Sequence, residues 1–185
     1  MSDKIHPYHV EIQNVVAVAS LGQEIDLLAI MEAFENADFS PNKFPGLVFK
    51  LKRPKTTTLI FRTGKMVCTG ARSERDAKSA VGRVVRDLRR KGFKIRSPEI
   101  EIVNIVGTAD FGGEVDLESM VDILDDIMYE PEMFPGLIYR MKYPKLVILL
   151  FRSGKIVLTG ADREEKVHEA AEKMRGILIE NGLLY

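Results

Sequence analysis

One spacing constrains this chain more than any other property. The stretch KFPGLVFKLKRPK beginning at Lys43 returns as MFPGLIYRMKYPK at Met133, and FRTGKMVCTGA at Phe61 returns as FRSGKIVLTGA at Phe151, both at an offset of 90 residues. The same offset, without a gap, pairs Asn14 with Asn104, Gly22 with Gly112, Asp26 with Asp116, Thr69 with Thr159 and Gly92 with Gly182. Roughly a third of the aligned pairs are identical, which marks a duplicated folding unit rather than a chance motif. Only Arg96, Ser97, Pro98 and Glu99 separate the copies. A joint that short favours two halves packed about a pseudo-two-fold axis, with a first repeat over residues 1–95 and a second over 96–185.

Within each copy the pattern predicts strand, helix, several strands, helix. Val10 to Val18 is a β-branched run, and Asp26 is placed to cap a helix whose Leu27, Ile30, Met31 and Phe34 share one face. Short strands are expected near Leu47 to Lys52, Thr56 to Thr63 and Lys65 to Thr69, divided by Pro54 and Gly64. Ser73 and Asp76 then resemble a capping box ahead of a stripe of Ala77, Ala80, Val81, Val84 and Leu88 that stops at Gly92. The second copy repeats that stripe with Val167, Ala170, Ala171, Met174 and Leu178.

Strand alternation sorts the first copy's side chains into two sets. Val15, Ile60, Met66 and Cys68 can meet the helices, while Asn14, Val16, Leu59, Phe61, Val67 and Thr69 form the opposite face. Two helices per repeat, each with one apolar stripe, can cover only one side of a sheet. The uncovered side is then a surface of Val, Leu, Thr and Phe, more apolar than solvent exposure explains, and such a surface marks a binding site. A broad apolar face with a few amides and hydroxyls suits the DNA minor groove, where A·T pairs offer only acceptors and G·C pairs add an amino donor. Asn14 and Asn104 can donate to those acceptors, and Thr69 and Thr159 can pair with them. An Asn within a strand is otherwise read as a bulge or an edge, and its repetition in both copies weighs against that reading alone. Two phenylalanines per repeat, Phe44 with Phe61 and Phe134 with Phe151, stand where this face meets its outer end. Proline and glycine follow Phe44 and Phe134 and place those two in a turn, from which an aromatic wedge can protrude.

The charge balance conceals a partner signal. The formal net charge is +0, yet residues 1–95 carry 17 Lys+Arg against 10 Asp+Glu while residues 96–185 carry 10 against 17. One half is basic and the other acidic, which suggests different partners for the two ends. Arg62, Lys65, Arg152 and Lys155 form a basic fringe beside the wedges. The loop ahead of the second wedge, Tyr129-Glu130-Pro131-Glu132-Met133, is acidic and apolar-tipped, whereas its counterpart reads Phe39-Ser40-Pro41-Asn42-Lys43. Glu130 and Glu132 are therefore candidate protein-docking residues.

The paired FPGL and SGK..LTG stretches, in register at both ends, resemble the TATA-box-binding protein family from about Val10 to Tyr185. The resemblance implies an α+β fold in which two pseudo-symmetric repeats form a saddle-shaped, curved antiparallel sheet with helices on the convex side. It implies a general transcription initiation factor that binds the TATA-box minor groove of double-stranded promoter DNA and kinks it. Preinitiation complex assembly with transcription factor B and RNA polymerase would follow. By motif, Phe44, Phe61, Phe134 and Phe151 would intercalate and Asn14 and Asn104 would supply the central amides. Val16, Val67, Val106, Val157, Leu59 and Leu149 would line the groove beside Thr69 and Thr159, and Lys50, Arg140, Lys65 and Lys155 would approach phosphates. The kinking mechanism belongs to the family and is not a result of spacing here. The eukaryotic relatives' low-complexity tail ahead of the core is missing, which points to the archaeal type and a cytoplasmic, nucleoid-bound location.

Other chemistries find little support. Gly64-Lys65 and Gly154-Lys155 lack the G-x-x-x-x-G-K-[ST] of a P-loop. His6, His9 and His168 have no ligand spacing, the single Cys68 excludes an internal disulfide and reads as core, and no cofactor, metal or enzymatic activity is expected. No apolar run reaches the 18 or more residues of a membrane span, and the start at Met1 to Lys4 has no signal-peptide core. The basic run Arg83, Arg86, Arg89, Arg90 and Lys91 reads first as a solvated helix face. One alternative remains open at the level of sequence: a related curved-sheet module that holds a protein or small ligand without promoter function.

Overall fold

The computed structural model describes residues 7–185, so His6 and the polar start lie outside the described residues. The elements run β1 (Glu11–Ser20), α1 (Leu27–Ala33), β2 (Ala37–Asp38), β3 (Leu47–Lys52), β4 (Lys55–Ile60), β5 (Lys65–Ala71) and α2 (Glu74–Arg90). They continue with β6 (Glu99–Asp110), α3 (Leu117–Ile123), β7 (Ile127–Met128), β8 (Leu137–Lys142), β9 (Lys145–Leu150), β10 (Lys155–Ala161) and α4 (Glu164–Glu180). Five strands are ordered β2-β3-β4-β5-β1 in one half and five are ordered β6-β10-β9-β8-β7 in the other. The pairings within each half are antiparallel, as the α+β expectation requires. Two compact units result, one of Asn14–Asn104 and one of residues up to Gln13 with Ile105–Tyr185.

Local chemistry sets the helix starts. Asp26 Oδ1 accepts the Ala29 N–H at 3.2 Å and Asp116 Oδ1 that of Ser119 at 3.1 Å, so both short helices are capped as the sequence indicates. Ser73 Oγ accepts the Asp76 N–H at 3.0 Å, with Glu74 and Asp76 in the first turn of α2 and Arg89 and Arg90 in its last, which complements the helix dipole at both ends. At the corresponding position α4 has Arg163 and no side-chain cap, and Glu164 and Glu165 alone supply the favourable charge.

The α2 stripe of Ala77, Ala80, Val81, Val84 and Leu88 is fully buried, as is the α4 stripe of Val167, Ala170, Ala171, Met174 and Leu178. Helix α2 packs against β3, β4 and β5 on the side where Phe49, Ile60, Met66 and Cys68 are buried. Each buried Val, Leu or Met contributes about 1.5–3 kcal/mol of transfer free energy, so these stripes fix the helices more firmly than propensity does.

Two local expectations give way to packing. Phe34 leaves the α1 helix as an extended C-cap and sets its ring edge-on to Phe49 at 5.1 Å. Burial of an aromatic pair outweighs the small gain from one more helical residue. Strand β4 stops at Ile60, because Phe61 N–H donates to Lys65 O at 2.9 Å and Gly64 N–H to Phe61 O at 2.9 Å, closing a tight turn. The two-residue strands β2 and β7 were not expected. They pair Ala37 with Phe49 and Ile127 with Tyr139 at the outer edges, and a strand that short carries no periodicity but leaves little open edge.

Candidate nucleic-acid interface

The predicted split of side chains between two faces is present in the first unit. Val15, Ile60, Met66 and Cys68 are fully buried, and Asn14, Val16, Leu59, Phe61, Val67 and Thr69 are half-buried on alternate positions. They are less exposed than an uncovered face suggests because cross-strand neighbours stand about 4.5–5.5 Å apart and shade one another. Register assembles them into rows. Val48 pairs with Leu59, Leu59 with Val67 and Val67 with Val18, an apolar row across four strands. The next row is Lys50, Thr57 and Thr69.

In the other unit Ile138, Leu149, Val157 and Thr108 form the first row, and Arg140, Val147 and Thr159 the second. Val106 is half-buried on the same face of β6. The rows therefore add Val18, Val48, Thr57, Thr108, Ile138 and Val147 to the candidates. Their parity along each strand was visible in the sequence, but the pairing that sets them beside the chosen residues was not.

A bulge governs the Asn–Thr pair. On β1 and β5, Val15 faces Ala71 and Ala17 faces Cys68, so Thr69 and Gly70 together oppose the single Val16. Gly70 takes φ +97°, a left-handed conformation that costs glycine little, and Gly160 repeats it at φ +97° beside Thr159. Asn14 Oδ1 accepts the Gly70 N–H at 2.7 Å, and Asn14 Nδ2 donates to Thr69 Oγ1 at 3.2 Å. The bulge reading of Asn14 is thus present in the structure, and it fixes which way the amide points. Asn104 is half-buried on β6.

Each pair of phenylalanines meets in the same geometry. Phe44 and Phe61 are edge to face at 5.9 Å and 68°, and Phe134 and Phe151 at 5.9 Å and 69°. Phe44 is 40% exposed, and the other three rings are half-buried. Ser40 O accepts Lys43 N–H and Phe44 N–H at 2.9 and 3.0 Å, and Glu130 O accepts Met133 N–H and Phe134 N–H at 2.9 Å each, which shapes both loops alike. Gly46 and Gly136 let the backbone pass under the rings: a Cβ there would lie 2.7 Å from Phe44 Cε1 and 2.8 Å from Phe134 Cε1.

The basic fringe divides by residue type. Lys50, Arg140, Lys65 and Lys155 are exposed. In the strand register Lys65 lies opposite Ser20 and Lys155 opposite Asp110. The two arginines are engaged elsewhere. Arg62 reaches Glu24 at 3.7 Å, and Arg152 donates to Glu118; Tyr129 and Glu118 nearby hold its guanidinium above its ordinary pKa. Glu130 and Glu132 are exposed, and Met133 at the loop tip is 83% exposed.

In the basic helix, Arg83 pairs with Asp87 and donates to Arg53 O, and Arg89 donates to Ile95 O and Ser97 Oγ. His9 and His168 are exposed, and among the described residues no group of three His, Cys, Asp or Glu is placed to hold a metal ion. No helix among them is long and apolar enough to cross a membrane.

Comparison with known proteins adds an independent line. The family profile described as transcription factor TFIID, or TATA-binding protein, matches residues 9–91 and again 99–181. The TATA-box-binding protein of Pyrobaculum calidifontis is 49% identical over 186 residues, covering 100% of this chain and 92% of that protein. That of Methanothermobacter thermautotrophicus is 48% identical, covering 95% and 97%. Among solved structures, Methanococcus jannaschii TBP superposes with a TM-score of 0.82 at 42% identity, covering 93% of this chain and 99% of that one.

Proposed function

This chain belongs to the TATA-binding protein family, and from that membership we propose how its own residues serve a general transcription initiation factor. It is a DNA-binding factor of archaeal type and not an enzyme. The two repeats, residues 1–95 and 96–185, each bring one apolar sheet face and one pair of wedges to the TATA-box minor groove of promoter DNA in the nucleoid. The observation that carries this reading is the repeated pair of edge-to-face rings, with Phe61 and Phe151 each two residues beyond the leucine of an apolar row, Leu59 or Leu149.

The chemistry follows from the groove. Leu59, Val67, Val16 and their counterparts Leu149, Val157 and Val106 exclude water from a surface that offers few polar groups. With its oxygen held by Gly70 and one amide hydrogen given to Thr69 Oγ1, Asn14 keeps its other amide hydrogen for adenine N3 or thymine O2. Asn104 takes the same role in the second repeat. A G·C pair would place its amino donor against this surface and leave it unpaired. Phe44 with Phe61 and Phe134 with Phe151 enter two base steps, at an unstacking cost of a few kcal/mol per step, offset by the surface that the bent duplex covers. Lys50, Arg140, Lys65 and Lys155 neutralise phosphates.

A pseudo-symmetric face reading a degenerate groove defines direction weakly. Direction therefore comes from what differs between repeats, and the Glu130–Glu132 loop docks transcription factor B, which brings in RNA polymerase. A small-ligand module is not favoured, because such sites are enclosed and convergent whereas these rows are broad and open.

The test is a gel shift comparing a duplex carrying an A·T-rich octamer with its G·C-substituted version, together with fluorescence transfer between labelled duplex ends. Tight, salt-sensitive binding to the first and a rise in transfer are expected. Equal affinity for both, or an unchanged end-to-end distance at saturation, would overturn the reading.

A further inference from the structure

Strand alternation fails at one place on β1, and the failure moves a polar side chain onto the open face. Ile12 lies on the helix side: a Cβ on Gly107 would meet Val167 Cγ1 of α4 at 2.6 Å and Ile12 Cδ1 at 3.7 Å. Val15, fully buried, also belongs to the helix side. Gln13 and Asn14 stand between them, one residue more than alternation allows, so both turn to the opposite face. The same spacing recurs on β6, where Val103 (41% exposed) and half-buried Asn104 stand between buried Ile102 and Ile105. Gln13 Nε2 donates to Thr108 Oγ1 at 2.9 Å, both residues lying in one compact unit. Thr108 in turn ends the apolar row of Ile138, Leu149 and Val157. At the offset of 90 residues, Gln13 and Thr108 correspond to Val103 and Val18, whose side chains neither donate nor accept. Val18 ends the row of Val48, Leu59 and Val67. One row therefore closes on an oriented hydroxyl and the other on methyl groups.

We propose that Thr108, with Gln13 as its positioning residue, is a specificity determinant that the first repeat lacks, so that the DNA face itself favours one orientation on an asymmetric A·T-rich site. The proposal rests on the minor-groove reading given above. A hydroxyl has one hydrogen to give and two lone pairs. Because Gln13 donates to Thr108, one lone pair is occupied and the hydrogen points away from Gln13, towards adenine N3 or thymine O2 in the groove. A G·C pair at that place sets its amino donor against another donor. At Val18 neither kind of pair gains a hydrogen bond from the side chain, so exchanging A·T for G·C loses less there. The favoured orientation therefore puts a G·C pair beneath Val18 rather than Thr108.

The test uses the full chain alone with a palindromic A·T-rich octamer that carries one G·C pair, placed at each position in turn. Orientation is read by strand cleavage from an iron chelate on Met133→Cys, a position 83% exposed, while buried Cys68 stays unlabelled. At one position the parent should favour one orientation by about fivefold, the factor that one net hydrogen bond supplies. Thr108→Val, which removes the hydroxyl and little else, should abolish that preference at a parental melting temperature. Gln13→Glu should reverse it, because a carboxylate accepts the Thr108 hydrogen and leaves the hydroxyl lone pairs to accept from the guanine amino group. Loss of structure would weaken both orientations alike and reverses nothing. Installing the pair in the first repeat with Val18→Thr and Val103→Gln should level the parent's preference. Equal orientation at every position in the parent, or a preference that survives Thr108→Val, overturns the role of Thr108. A preference lost in Thr108→Val but unchanged in Gln13→Glu overturns the positioning role of Gln13. Failure of the minor-groove reading shows separately, as equal affinity for the unsubstituted octamer and its fully G·C-substituted version.

Discussion

Asn14 Oδ1 accepts the backbone N–H of Gly70 at 2.7 Å while its Nδ2 donates to Thr69 Oγ1 at 3.2 Å, and the two contacts together fix the orientation of the amide. Asn14→Asp keeps an acceptor for Gly70 but replaces the amide donors by carboxylate oxygen. We expect the folded structure to persist and affinity for the A·T-rich duplex to fall by about 1–3 kcal/mol or more, the scale of one lost base contact, read by titration at fixed salt. Retained affinity would mean that the amide serves the bulge alone.

Replacing Phe134 or Phe151 by Ala should cost on the order of 2 kcal/mol in DNA binding and reduce the bend, as for other buried aromatic anchors. If thermal stability instead drops by several kcal/mol while DNA binding is kept, the rings are core and not wedges.

Gly46→Ala and Gly136→Ala test wedge position without removing a ring. The new methyl would sit 2.7 Å from Phe44 Cε1 or 2.8 Å from Phe134 Cε1, and those atoms lie at the far end of side chains that can move. Near-parental melting with a smaller end-to-end change in the labelled duplex is the expected combination. An unaltered bend would show that the rings tolerate displacement.

The lysines of the fringe should not contribute equally. Lys65 faces Ser20, whereas Lys155 faces Asp110. Lys65→Ala should lower the slope of log affinity against log salt by close to about 0.9, the value for one phosphate contact, and Lys155→Ala by less. Equal slopes for the two variants would remove any role for Asp110.

Burial raises the Cys68 thiol above its usual range, so little thiolate exists near neutral pH and no path leads to it. Iodoacetamide should leave Cys68 unmodified in the native protein and label it once denatured. Rapid native labelling would contradict the burial of this face of β5.

Much of this was legible in the sequence because it is local or repeated. The 90-residue register, the caps at Asp26 and Ser73 and the alternation of β4 and β5 depend on residues within a few positions of one another, and the copy at the same offset checks each assignment. The pairing of the phenylalanines within each repeat was legible for the same reason. What only the tertiary structure decided involves partners far apart along the chain. Asn14 and Gly70 are 56 residues apart and meet through a bulge that no strand pattern announces. Arg152 reads as a DNA-facing cation until Glu118, 34 residues away, claims its guanidinium. Phe34 continues a helical stripe on paper and leaves the helix for the Phe49 ring. Local propensities are worth tenths of a kcal/mol per residue, whereas burial and long-range pairing are worth more. Where the two agree the sequence is sufficient, and where they differ the packed structure sets the outcome.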